Sequence, residues 1–240
     1  PTSSAPIRQW SSRGGAILVP AFALGRTQEL LWLLQDLERA GRIPSLPVYV
    51  DSPMAIEVTD LYGRHPEDQD TAMRERVRLD GGDWQGKRVH LVHSAAESKA
   101  LNQVRGPVII ISASGMATGG RILHHLAQRL PDPRTTVLLV GFQAEGTRGR
   151  ALKEGADTLR MFGERVPVRA RVECLDALSA HAGQDELLRW LDGFARPPRV
   201  THLVHGEPPA SAALERLLRA RGWTVRAARD GETVPLAGAG

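Results

Sequence analysis

Cysteine is nearly absent from this sequence: Cys174 stands alone among 240 residues. A lone cysteine excludes an intrachain disulfide framework, which fits a reducing cytoplasm. Long apolar runs are missing too. No stretch approaches the ~20 residues of a membrane span and no charged-then-apolar leader opens the chain, so no membrane partner is expected. Lysine is scarce, with only Lys87, Lys99 and Lys153 among 31 basic residues, so arginine carries the formal charge of +4. This basic balance, with a pI of ≈ 9.8, leans towards a polyanionic partner. An arginine bias equally reflects genome-wide composition, so charge supports a nucleic-acid reading without establishing it. There is no internal repeat and no low-complexity tract.

What is present is an ordinary globular composition, 42% hydrophobic and 24% charged, in a chain long enough for one large domain or two smaller ones. Residues 16–19 form a buried-type strand, and 27–40 has the 3.6-residue apolar period of a helix ended by Gly41. Further strands are predicted at 47–51, 89–93, 108–111 and 136–140. Helices are predicted from Pro53 through Tyr62, after the capping box of Ser94 and Glu97, and at 121–130. Residues 64–88, polar and charged with Gly81-Gly82, read as an exposed excursion. This rhythm predicts an α/β fold, a mostly parallel sheet flanked by helices. From about 161 the texture changes. Residues 166–172 alternate apolar side chains with arginine, as one half-exposed strand does. A helix at 185–194, a strand at 200–204, a helix near 211–221 and a strand at 224–227 follow. A domain boundary is placed near 160.

Two features carry chemistry. Residues 112–121 (SASGMATGGR) make a strand end, a glycine turn and a helix start. Glycines let backbone N–H groups approach an anion, and a helix N-terminus adds favourable partial charge. Ser112, Ser114 and Thr118 can add hydrogen bonds, and Arg121 can grip a phosphate bidentately. The segment is neither a Walker-type loop nor the dinucleotide fingerprint, and the same pattern also serves as a tight connection. Asp51-Ser52-Pro53 reads as cap chemistry, with Asp51 a cap rather than a catalytic carboxylate. Residues 146–150 (GTRGR) present Arg148 and Arg150 to an anion or simply to water.

The second feature is a pair of histidines, His181 and His205, each after a strand-like run and with glycine within two residues. Neutral imidazole binds zinc, and protonated imidazole can give a proton to a leaving oxygen. His124 and His125 lie mid-helix and point two ways, so they make no same-face pair. His65, His90, His93 and His202 have no companion pattern and are read as structural.

Seven stretches stand in order across almost all of 15–207: VPAFALGRTQELLWLL (19–34), PVYVDSPMA (47–55), SKALN (98–102), SASGMATGGRILHHL (112–126), VGFQAEGTRG (140–149), SAHAGQDELL (179–188) and LVHGE (203–207). With them the chain resembles the β-CASP branch of the metallo-β-lactamase fold, the zinc-dependent RNA nucleases. The resemblance implies a β-CASP domain over 1–160 and, over 161–240, the C-terminal portion of a metallo-β-lactamase αββα domain. It implies hydrolysis of RNA phosphodiester bonds, with two zinc ions lowering the pKa of a shared water for in-line attack. His181 matches the family's motif B histidine, which helps protonate the leaving group. His205 matches the motif C histidine, a ligand of the second zinc, and resembles the RNA-acting members in this. Ser112, Ser114, Gly115 and Arg121 fall in the segment that faces the nucleic-acid cleft and are implied phosphate contacts. Ser179, beside the metal edge, is a further candidate. A cytoplasmic location and a homodimer are compatible with the family.

The family's main zinc ligands have no counterpart: no His-x-His and no Asp-His occurs in the chain. The chain thus resembles the second half of a family member. A catalytic zinc takes three protein ligands plus water, so His205 is expected neither to hold two zincs nor to support cleavage in this chain alone. Two other classes stay open. One is a non-catalytic nucleic-acid-binding subunit, against which the retention of both histidines argues. The other is a DNA-acting nuclease or other metallo-hydrolase of the same fold, which His205 disfavours.

Overall fold

Residues 14–79, 88–179 and 181–234 are described in the computed structural model of this chain. Strands β1 (Ala16–Pro20), β2 (Val48–Val50), β3 (Val89–Leu91), β4 (Val108–Ser112) and β5 (Thr136–Leu139) lie in one sheet. After a hairpin of β6 (Thr158–Met161) and β7 (Glu164–Pro167), strand β8 (Arg171–Cys174) joins its edge. The order is β3-β2-β4-β1-β5-β8, and every pairing is parallel. The expected class, a mostly parallel sheet flanked by helices, is the observed one.

A sheet covered on both faces needs apolar side chains on both, which is why β1 (AILVP) and β4 (VIIIS) read as near-continuous runs. Ile17, Val19, Val50, Ile109 and Ile111 cluster with Leu30 and Leu31 of α1 (Arg26–Arg39) and with Ala55 and Ile56 of α2 (Pro53–Arg64). Short helices α3 (Thr71–Leu79) and α4 (Ala95–Ala100) follow in the chain. Residues of opposite parity, Leu18, Ile110, Val137 and Leu139, cluster with Ile122 and Leu126 of α5 (Ile122–Arg129) and Leu152 of α6 (Arg148–Lys153).

Two segments of the fold depart from expectation. Within 64–88 it has a helical turn at Pro66–Asp68 and then α3, whose first turn is capped by Asp70 Oδ1 accepting from Met73 N–H at 2.7 Å. The polar composition hid a capped helix; Gly81 and Gly82 lie outside the described residues. The single strand expected over 166–172 is two. Pro167 has no N–H with which to continue a ladder, and the chain leaves the hairpin there to join β5 as β8.

The chain forms two compact units, Pro1–Leu178 and Ser179–Gly240. In the second, α7 (Gln184–Leu191) and α8 (Pro208–Ala220) pack on a parallel pair, β9 (Thr201–Leu203) and β10 (Val225–Ala227), around Leu188, Leu191, Leu218 and Val225. No helix among the described residues is long and apolar enough to cross a membrane.

Ile110 is fully buried in β4. Ile110→Ala should cost about 2–5 kcal/mol in chemical denaturation. Leu24→Ala, at a side chain 68% exposed, should stay within about 0.5 kcal/mol of wild type.

Candidate functional site

Open parallel sheets bind ligands beyond the carboxyl ends of their strands, where neighbouring strands send their connections opposite ways. Here that point lies between β1 and β4. The chain leaves β1 through α1 towards β2, and leaves β4 through α5 towards β5 on the other side. Two turns meet there. Ala21 N–H donates to Ser112 O at 3.1 Å. Phe22 lies over Gly115, where a Cβ would come within 2.9 Å of its ring, so glycine permits the close approach. Gly120 has φ 78°, and a Cβ there would collide with Ala113 O. Ser114 knots the glycine turn, its Oγ accepting from Thr118 N–H at 3.0 Å and Gly119 N–H at 3.2 Å. Gln143, after β5, braces it by donating from Nε2 to Gly115 O at 3.0 Å. The N–H groups of Met116 and Gly120 have no acceptor among the described residues.

Asp51 follows β2 at the same edge and is 0% exposed. Its Oδ1 accepts from Arg121 Nη1 at 2.7 Å, and its Oδ2 accepts from Ser98 Oγ at 2.5 Å and faces His125 Nε2 at 2.6 Å. Burial alone would push this carboxyl up. The hydrogen bonds from His125, Ser98 and Arg121 outweigh burial and hold it below its ordinary value. Asp51 is therefore not the cap that its place before Pro53 predicts. With Pro53 at the first helical position, the cap is Ser52, whose Oγ accepts from Ala55 N–H at 3.3 Å. Asp51 stands one residue too early and turns inward.

Two expected phosphate contacts are drawn into this cluster. Ser112 is 1% exposed, and its hydroxyl donates to Asp51 O at 2.7 Å, so it faces protein rather than a ligand. Arg121 also donates to Val92 O at 3.0 Å and His93 O at 3.2 Å, which commits most of its guanidinium to bracing the ends of β2 and β3. Sequence reasoning missed Ser98 and His125. A signal existed: Arg121 and His125 are four residues apart and so share one face at the start of α5.

His181 and His205 occupy two exposed turns of the second unit. His181 N–H donates to Ser179 Oγ at 3.2 Å, so Ser179 shapes the turn that presents His181. Glu186 then caps α7 by accepting from Gly183 N–H at 2.8 Å. His205 follows β9 with φ 67°, in the left-handed region that few residues with side chains enter. Among the described residues, the group able to offer three metal ligands is His65, Glu67 and Asp68, all exposed; neither His181 nor His205 belongs to it. The described residues around His205 therefore do not fit a catalytic zinc, which takes three protein ligands.

Residues 27–152 match the Beta-Casp domain, and residues 165–228 match the Zn-dependent metallo-hydrolase RNA specificity domain. The chain belongs to the β-CASP family. It is 42% identical over 225 residues to "Ribonuclease TTHA0252" of Thermus thermophilus, covering 94% of this chain and 51% of that protein. It is 33% identical over 237 residues to "Transcription termination factor FttA" of Pyrococcus abyssi, covering 96% and 36%. With an "RNase J-like protein" of Methanocaldococcus jannaschii it shares 32% over 204 residues, covering 84% and 45%. The chain thus spans about half or less of these relatives' lengths. Within the β-CASP match lie Asp51, Ser98, the glycine turn and His125; within the second lie Ser179, His181 and His205.

Removing one partner of a buried ion pair strands the other, so Asp51→Ala should cost about 3–5 kcal/mol. The carboxyl sits below its unfolded value of about 3.9. Its contribution is therefore complete above that pH and disappears as pH falls through the lower folded value. Urea midpoints measured from pH 7 down to 2 should fall less steeply with acid for Asp51→Asn than for wild type.

Proposed function

We propose that this chain is the β-CASP portion, with the C-terminal portion of the metallo-β-lactamase domain, of a zinc-dependent ribonuclease that hydrolyses RNA phosphodiester bonds. The observation that carries this reading is the knotted glycine turn at the carboxyl edge of the sheet, with the N–H groups of Met116 and Gly120 left over in the turn ahead of α5. Relatives named ribonuclease and RNase J-like support RNA as the polymer that such a turn would hold. In this role Ser114, Gly115 and the free part of the Arg121 guanidinium meet backbone phosphates, while Ser112 braces the turn from behind. Water adds to phosphorus, the bond to the ribose oxygen breaks, and His181 supplies the proton that oxygen takes up. Ser179 orients His181 through its backbone.

The cofactor of this reading is a pair of zinc ions, to which this chain offers one ligand, His205. The left-handed backbone at His205 supports a special role, since strained positions are kept where the side chain is needed. The domain division near residue 160 belongs to the same proposal, and the two matched regions leave a gap from 152 to 165 around it. The second unit supports it too. A parallel pair standing alone is rare, because parallel sheets are normally larger and covered on both faces. Thr201 Oγ1 and His202 Nδ1 on β9 are shut off from solvent without partners among the described residues, as expected where a polar group is still to be met. A cytoplasmic location and a homodimer complete the reading.

The purified 240-residue chain should hold less than one zinc by metal analysis and should not cleave RNA. It should bind single-stranded RNA at least as well as DNA of matched sequence. Stoichiometric zinc, with turnover lost in His205→Ala, would overturn the claim that this chain cannot cleave alone. Absence of RNA binding would overturn the RNA reading itself.

A further inference from the structure

The β6–β7 hairpin carries a residue where local chemistry does not favour it. Phe162 and Gly163 form the two-residue connection, with φ 51° and 85°, and Met161 pairs with Glu164 across it. Positive φ at both positions is the turn that asparagine or glycine normally opens, because a bulky Cβ crowds the backbone there. Phe162 nonetheless occupies the first position with its side chain 59% exposed, so no core is gained by it. Its ring stacks on His124 of α5, centroids 4.5 Å apart and planes within 20°.

The outward face of the same hairpin is also unusual. Leu159, Met161 and Val166 point into the core, and the alternate positions are exposed. Arg160 and Arg165 are directly opposite one another on the exposed side. Like charges so placed repel, and neither guanidinium has a partner among the described residues. Arg148 ties this hairpin to the glycine turn, its Nε donating to Arg160 O at 2.9 Å and its Nη1 lying 3.4 Å from Thr118 O. A strained exposed aromatic, a stacked histidine behind it and an unneutralised arginine pair thus border the turn assigned to phosphate.

We propose that the β6–β7 hairpin is a single-stranded RNA contact, in which a base stacks on Phe162 and the neighbouring phosphate bridges Arg160 and Arg165. The proposal rests on the RNA reading above and extends the strand's path beyond the glycine turn. Stacking on aromatics beside a basic track is how single strands are held without sequence preference, and an anion between two opposed arginines removes their repulsion.

The test uses the 240-residue chain and a fluorescein-labelled 12-nucleotide RNA, read by anisotropy. Phe162→Asn places a residue suited to the turn, so its Tm should equal or exceed that of wild type while RNA binding weakens roughly 5- to 150-fold. The double variant Arg160→Gln/Arg165→Gln should flatten the slope of log K against log salt by about 0.7 for each phosphate the protein no longer neutralises. Wild-type binding with unchanged affinity in Phe162→Asn and an unchanged salt slope in the double variant overturns this proposal and leaves the RNA reading intact. No wild-type binding overturns both. A wild-type dimer that Phe162→Asn converts to monomer, with RNA affinity unaltered, would assign the face to a second copy and overturn the RNA contact.

Discussion

A carboxylate sealed from water at the end of a parallel strand has to be met by hydrogen-bond donors, and around Asp51 that requirement organises the working edge of the sheet. Ser98 comes from α4, Arg121 from the start of α5 and His125 from one turn further on, while Ser112, from the end of β4, donates to the Asp51 backbone carbonyl. Ser98, Arg121 and His125 would be ordinary helix residues without Asp51. Together they clamp the ends of β2, β3 and β4 and set the direction in which α5 leaves the glycine turn. Because the cluster is buried, its bonds are not diluted by solvent, and loss of any one leaves a costly orphan.

The glycine turn depends on this clamp. Its shape is closed by Ser114 from within and by Gln143 and Phe22 from either side, while Arg121 fixes the helix that follows. The division of labour is plain: residues nearest the strand ends brace, and residues further out along the turn remain open. Ser112 and Ser114 are two residues apart in one motif, yet one is sealed against protein and the other closes the glycine turn. The histidines of the second unit follow a similar pattern, with Ser179 and Glu186 holding the turns near His181 through backbone bonds.

Much of this is legible in the sequence. The apolar runs of β1 and β4, the helical period of α1, Pro53 at a helix start and the pairing of Ser94 with Glu97 are local signals. Each corresponds to an element where expected. Where composition is polar, as at α3, the cap at Asp70 is the only mark, and it is easily passed over. Where one alternation runs across a proline, at 166–172, it conceals a hairpin and an edge strand. Phe162 carries no periodic signal at all; only the backbone angle shows it to be out of place.

The sequence by itself determined the fold class, the membership of the β-CASP family and the turns on which chemistry is offered. These depend on short-range patterns that survive without knowledge of the partner across the sheet. Only the tertiary structure decided which polar residue of each turn faces inward. Asp51 reads as a cap until Ser98, Arg121 and His125, 47 to 74 positions away, are seen to enclose it. Burial is a property of the whole chain's packing, and a single motif cannot report which of its side chains that packing excludes from water.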